Sequence, residues 1–401
     1  MITRRSLLQS GAAAAALAAG PRAARAATSG AADPEIKIGQ TMPYSGPESA
    51  YGVIGRTEAA YFKMINDRGG VNGRKINLIS LDDGYSPSRT VELARRLVED
   101  EKVAFLFNTL GTAPNLAIRQ YLNENQVPQL FVATGANLFA DPARYPWTIG
   151  YNPSYQTEAR VYGKHILATR PDGKIAVLFQ NDGFGREYLD ALKETLGDKA
   201  GAMIVKEASY ETSEPTVDSQ VVTLQGSGAD IFVIVATPKF AAQAIRKSYD
   251  LGWNGARYLS NVSPSVAAVL KPAGLEKSKG LITDGYIIDV NDPHWKDQPS
   301  LQDWKAFTDK YMSAKEYGDA NAAYAFGAAA TMVQVLEQCG NDVSRENVMR
   351  QAANLKAFAA PMLIPGIKVD TSPDNFSPIR ELQLLSFDGT SWRMEGPVAH
   401  D

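Results

Sequence analysis

The sequence is poor in the residues that most soluble enzymes use for chemistry. It holds a single cysteine, Cys339, so no disulfide can form within the chain. Its three histidines, His165, His294 and His400, lie far apart. Together with one thiol they show no metal-ligand spacing, and no metal or cofactor is expected. No G-x-x-x-x-G-K-[ST] phosphate loop and no G-x-S-x-G nucleophile elbow occurs. His165 has no evident Ser or Cys partner, so no catalytic set is expected and the chain does not read as an enzyme. An excess of either charge is also missing. Against 44 Asp and Glu stand 41 Lys and Arg, a net −3. With no dense basic patch beyond the N-terminus, this argues against a nucleic-acid partner, and none is expected. Past that N-terminus there is no apolar run of about 18 residues, so the mature chain has no membrane span.

What is present describes a soluble globular protein, with 44% hydrophobic and 21% charged residues. Its 401 residues are too many for one small core and suit two domains. Residues 1–26 carry their own message. Thr3-Arg4-Arg5-Ser6-Leu7-Leu8 precedes an apolar segment from Gly11 to Ala19, and Ala24-Arg25-Ala26 follows. This is the pattern of a twin-arginine export signal cleaved after Ala26. No lipobox cysteine stands near that point, so a free periplasmic protein is expected, with residues 28–33 as a flexible leader.

From Ile36 onward, short β-rich runs alternate with helical periods. Strands are expected at 36–41, 75–81, 103–107 and 128–132, with helices at about 53–66, 88–99 and 114–123 between them. The same grammar restarts after 151, with strands at 174–179, 203–207, 231–235, 257–259 and 280–283. Repeated β-α units predict parallel sheets covered by helices on both faces. Chain crossings between two lobes are expected at 147–155, at 284–286 and near Pro365-Gly366.

Two stretches stand out within this pattern. Phe105-Leu-Phe-Asn-Thr-Leu-Gly-Thr-Ala-Pro-Asn115 runs from strand to turn to helix start, with Thr112 where an N-cap belongs. The backbone N–H groups of Leu110, Gly111 and Thr112 would face past the strand end, where the helix dipole favours a carboxylate. Ala133-Thr134-Gly135 offers the same design after the next strand. Doubly wound lobes place a cleft at the C-terminal strand ends. The residues there are the binding candidates: Tyr51, the two turns, Tyr155, Asp182, Thr237 and Asn261, with Asp284 and Tyr286 at a crossing. Tyrosines and small hydroxyls suit a small carboxylate with a flat or apolar body. Asp182-Gly183-Phe184-Gly185 resembles half a dinucleotide fingerprint, but Tyr188 replaces its third glycine, so nucleotide binding is not expected.

Several motifs together carry a resemblance. They are the export signal, Ser45-Gly46-Pro47 with Tyr51-Gly52, the run from Asn66 to Gly73, Asp82-Asp83 and Asp182-Gly183-Phe184-Gly185. Over about Ile36 to Arg393 the chain resembles the branched-chain amino acid-binding type of solute-binding protein of bacterial ABC importers. The resemblance implies an α/β, type I periplasmic fold. It has two doubly wound parallel-sheet lobes joined by three crossings, expected at 34–151 plus 285–364 and at 152–284 plus 365–401. It also implies hinge closure over a ligand and delivery to a permease in the inner membrane. By position, Leu110, Gly111, Thr112, Ala133, Thr134 and Gly135 inherit the carboxylate site, and Tyr51 and Tyr155 the ligand-facing aromatics. One position departs. Amino-acid binders carry an acid after the strand matching 257–259, whereas Ser260-Asn261-Val262-Ser263-Pro264 has none. A buried ammonium there would lack its counter-charge. The expected ligand is therefore an aromatic or related carboxylic acid. The alternative is a branched-chain or other neutral amino acid with Asp284 as substitute, and a periplasmic enzyme or sensor domain is a remoter one.

Overall fold

The structure, a computed structural model, describes residues 35–400. The export signal and the leader lie outside these residues. Twelve strands form two sheets. The first holds β1 (Glu35–Met42), β2 (Lys75–Asp82), β3 (Phe105–Phe107), β4 (Gln129–Val132) and β5 (Thr148–Gly150), in the order β2-β1-β3-β4-β5. All its pairings are parallel. The second holds β6 (Ile175–Gln180), β7 (Ile204–Tyr210), β8 (Ile231–Val235), β9 (Ala256–Leu259), β10 (Leu281–Gly285), β11 (Glu381–Phe387) and β12 (Trp392–His400). Its order is β12-β11-β10-β9-β8-β6-β7, parallel except for the two C-terminal strands. The architecture is a type I periplasmic binding fold.

The sequence dictates these elements in a simple way. β8 reads Ile-Phe-Val-Ile-Val and is buried at every position, as a central parallel strand requires. Helix Pro87–Glu99 starts with Pro at its first turn and buries Thr90, Ala94 and Leu97, one face at i, i+4 and i+7. β5 was expected as part of a crossing. Three residues show no periodicity, and only its pairing with β4 makes it a strand. Residues 266–278, which follow β9, form a chain of short helical pieces that the sequence pattern did not announce.

Apolar cores pack against both sheets, and one of them takes in Val132 of β4 together with Val177 and Val233 of the second sheet. Ile38, Phe62, Phe107 and Phe131 of the first pack with Trp304, Phe326 and Leu336 from helices Pro299–Tyr311 and Ala320–Cys339. Ile367, Val369, Phe376 and Ile379 join that same core. Leu178, Phe232, Phe240 and Leu259 form one core against the second sheet, and Val177, Tyr188, Leu192 and Val233 another. Two connecting segments pair with each other between the sheets. Ile288 N–H donates to Met362 O at 2.8 Å and Ile364 N–H to Tyr286 O at 2.8 Å.

Asp182-Gly183-Phe184-Gly185 is explained by local structure. Asp182 caps helix Gly183–Leu196, accepting from the Phe184 and Gly185 amides at 3.0 and 3.3 Å. A Cβ on Gly185 would sit 2.0 Å from Gln180 O, so only glycine lets the helix start this close to β6. Gly185→Ala is expected to destabilise the protein by about 2 kcal/mol or more, since a backbone oxygen cannot give way as a flexible side chain can. Urea unfolding of both proteins checks this, and an unchanged midpoint would remove the packing role.

Candidate ligand cleft

The turns after β3 and β4 are stitched to each other. Leu110 pairs with Ala133, Gly111 N–H donates to Ala133 O at 3.2 Å, and Ala133 N–H donates to Thr109 O at 3.0 Å. The Gly111 amide, expected to be open to a ligand, is spent on the neighbouring turn. Gly111, at φ +97°, is also the N-cap of helix Thr112–Glu124. Thr112, expected in that role, is instead the first helical residue. Its amide has no hydrogen-bond partner among the described residues. A Cβ on Gly111 would lie 2.5 Å from the Tyr85 ring, so the bare backbone serves to admit Tyr85.

The freed hydroxyls form a chain. Thr134 Oγ1 donates to Tyr155 Oη at 3.2 Å, and the Thr112 and Thr134 hydroxyls are 2.7 Å apart. Each hydroxyl has one proton. Thr134 uses its own on Tyr155, so Thr112 donates to Thr134 and the Tyr155 proton stays available. Tyr155 is buried and packs against Phe184 with ring centroids 4.7 Å apart and planes tilted by 52°.

The second sheet system carries a pair of acids, Asp284 in β10 and Glu158 in helix Tyr155–Thr169. The turn after β9 carries Asn261, whose N–H donates to Glu158 Oε1 at 2.6 Å and whose Nδ2 donates to Asp284 Oδ1 at 3.0 Å. Asp284 N–H reaches Tyr162 Oη at 2.9 Å. Asp284 Oδ2 and Glu158 Oε2 are buried and have no partner among the described residues. Burial pushes the Asp284 carboxyl up to about 8. Burial, and then the neighbouring Asp284, push Glu158 well above the carboxylate range. An acid thus stands at the end of β10, beside the turn after β9, with Asn261 donating to it.

These groups surround a cavity of about 110 Å³. An engineered apolar cavity of about 150 Å³ takes one benzene, so the room here is that of a small solute. Of the sequence candidates, Tyr51, Leu110, Gly111, Thr112, Ala133, Tyr155, Thr237, Asn261, Asp284 and Tyr286 line it. Thr134 sits one hydrogen bond behind Thr112. Gly135 is not in the lining, and its missing Cβ leaves room for Pro153 O, which would lie 2.3 Å away. Asp182 is not in it either, because its carboxylate is committed to the helix cap and to Gln180 Nε2 at 2.8 Å. Sequence reading missed Tyr85, Asn152, Phe184, Tyr324 and Trp392 in the lining, and Glu158 behind it. Tyr85 follows a strand end and was within reach of the same argument. Tyr324 and Glu158 sit inside helices, where nothing in the spacing sets them apart.

The wall is closed by bonds between the two sheet systems. Thr237 Oγ1 donates to Glu48 Oε1 at 2.9 Å, and Tyr51 Oη donates to Val262 O at 3.0 Å. Burial raises the Glu48 carboxyl to about 7.

The sequence profile described as periplasmic binding protein matches residues 35–391. The chain belongs to that family. It is a solute-binding protein of the ABC-importer type and not an enzyme, and the family is exported to the periplasm. Among the described residues no helix is long and apolar enough to cross a membrane. Leu/Ile/Val-binding protein homolog 1 of Brucella abortus (strain 2308) is 26% identical over 335 residues, 81% of this chain and 84% of its own. A branched chain amino acid ABC transporter protein from Thermus thermophilus with bound valine superposes with a TM-score of 0.83 at 17% identity, over 92% of this chain and 97% of that one. A solute binding protein from R. palustris in complex with benzoate gives 0.77 at 20%, over 92% and 98%. These likenesses agree on the fold and differ in the ligand.

The acid pair sets a pH dependence for the ligand-free receptor. An unfolded Asp ionises near pH 4, while folded Asp284 keeps its proton up to about 8. Between these values folded Asp284 holds a proton that its unfolded counterpart has lost, so its contribution to stability falls as pH rises from about 4 to about 8. Asp284→Asn is expected to flatten that decline and to raise the midpoint at pH 8. Thermal unfolding from pH 5 to 8 measures it, and parallel curves for the two proteins would refute the assignment.

Proposed function

We propose that this receptor captures a neutral α-amino acid in the cleft and delivers it to an ABC permease. The observation that carries the reading is the buried Asp284 carboxyl, which lines the cavity with one oxygen unpartnered and no ion-pair partner. A ligand ammonium would satisfy that oxygen and balance the acid pair. The ligand carboxylate would take the Tyr155 proton and the Thr112 amide, at the positive end of helix Thr112–Glu124. Relatives named as Leu/Ile/Val-binding homologues support this choice. The bodies that close are 34–151 plus 285–364 against 152–284 plus 365–401, with 367–379 riding on the first. Export would use the twin-arginine signal, with cleavage after Ala26.

A second reading, an aromatic or related acid without an amino group, is favoured by Tyr51, Tyr85, Phe184, Tyr286 and Trp392 in the lining. In that case Asp284 stays protonated and donates to the ligand.

A thermal-shift panel at pH 7 separates the two. Neutral amino acids are expected to raise the midpoint, and Asp284→Asn to abolish that shift. A shift with benzoate-like and cinnamate-like acids alone would establish the second reading, and a shift with neither class would overturn both. Tyr155→Phe is expected to weaken binding about tenfold, the worth of one charge-assisted hydrogen bond, and Thr112→Val by less, because its hydroxyl acts only through Thr134. Unchanged affinity by titration calorimetry would take the carboxylate away from this hydroxyl chain.

A further inference from the structure

The hydrogen bonds at the end of the cavity formed by Pro264, Val266, Gly318, Ala320, Asn321 and Trp392 are nearly all settled. Ser265 Oγ donates to Asp319 Oδ1 at 2.9 Å, and the same oxygen accepts from Asn321 N–H at 3.0 Å. Trp392 donates through Nε1 to Pro264 O and through its backbone N–H to Asp289 Oδ2, both at 2.8 Å. Tyr324 Oη accepts from Asn108 Nδ2 at 2.8 Å and donates to Asn152 Oδ1 at 3.2 Å.

One side chain stands outside this pattern. Asn321 lines the cavity and is only 9% exposed, yet its Nδ2 is buried and has no partner among the described residues. A Leu or Val at this position would have completed an apolar wall with Val266 and Pro264. An amide there instead leaves a desolvated donor without compensation whenever the space is filled by hydrocarbon. Gly318 and Ala320 beside it in the lining add almost no side-chain bulk.

We infer that Asn321 is a specificity-determining residue that hydrogen-bonds a polar group at the far end of the ligand. The preferred solute then carries a side-chain hydroxyl or amide, or a ring hydroxyl, besides its carboxylate. A purely aliphatic branched-chain amino acid is the poorer ligand. This rests on the reading of the cavity as a carboxylate site and holds for either ligand class above. A site built to bond a ligand's polar group rejects the analogue that lacks it far more strongly than an apolar pocket rejects an added hydroxyl.

Titration calorimetry on the full mature protein with near-isosteric pairs provides the test. The pairs are asparagine against leucine, tyrosine against phenylalanine, and 4-hydroxybenzoate against benzoate. In at least one pair the polar member is expected to bind at least about tenfold more tightly. Asn321→Leu is expected to bring that ratio within about threefold or to reverse it, and Asn321→Ser to keep part of it. Apolar members that bind the unmodified protein as tightly as their polar partners would overturn the inference while leaving the carboxylate reading standing. Failure of every member of every pair to bind would overturn both. The comparison on unmodified protein decides the matter even if the Leu variant does not fold.

Discussion

Two carboxyl groups buried beside each other, with no lysine or arginine among the groups that shift them, set the terms for this molecule. Taking one such group out of water is costly, and taking two is tolerable only if they hold protons or meet a cation. The surrounding structure accommodates them with neutral donors. Asn261 spans both acids, one with its backbone and one with its amide, and Tyr162 reaches Glu158, Thr283 and the Asp284 amide. Those residues come from β9 and its turn, β10 and helix Tyr155–Thr169. The acid pair therefore ties three elements of the second sheet system to the floor of one cavity.

The opposite wall solves a different problem. There the ends of β3 and β4 are joined by their own amides, and what faces the cavity is a short hydroxyl relay ending at Tyr155. Tyr155 opens the helix that also carries Glu158, three residues on. One helix thus carries both the hydroxyl that ends this relay and one of the two buried acids. Its start is fixed by Ser154, which accepts from the Gln156 amide at 3.1 Å.

The sheets were legible in the sequence because apolar runs such as Ile231–Val235 can do little else. Most strand-end candidates were legible for a topological reason, since parallel sheets expose their C-terminal ends in one place. The roles were less so. Thr112 and Gly111 exchanged parts because the turn geometry, not the residue type, decides which one caps the helix. Asp182 sits at a strand end like the others but turned out to serve its own helix. The acid question was unanswerable from spacing alone. Asn261 and Asp284 are 23 residues apart, and only the neighbouring positions of β9 and β10 bring them within hydrogen-bond reach. Asn321 was invisible because a polar residue near a helix start is ordinary until its amide proves to be unpaired.

The bonds from Glu48 to Thr237 and from Tyr51 to Val262 have a consequence for time rather than for affinity. They join the two sheet systems beside the cavity, so the two systems part only once these bonds break. If release waits for that parting, two solutes of different affinity would share one release rate. A permease that pulls these bodies apart would act on that step directly, and would unload a tightly held solute as fast as a loosely held one.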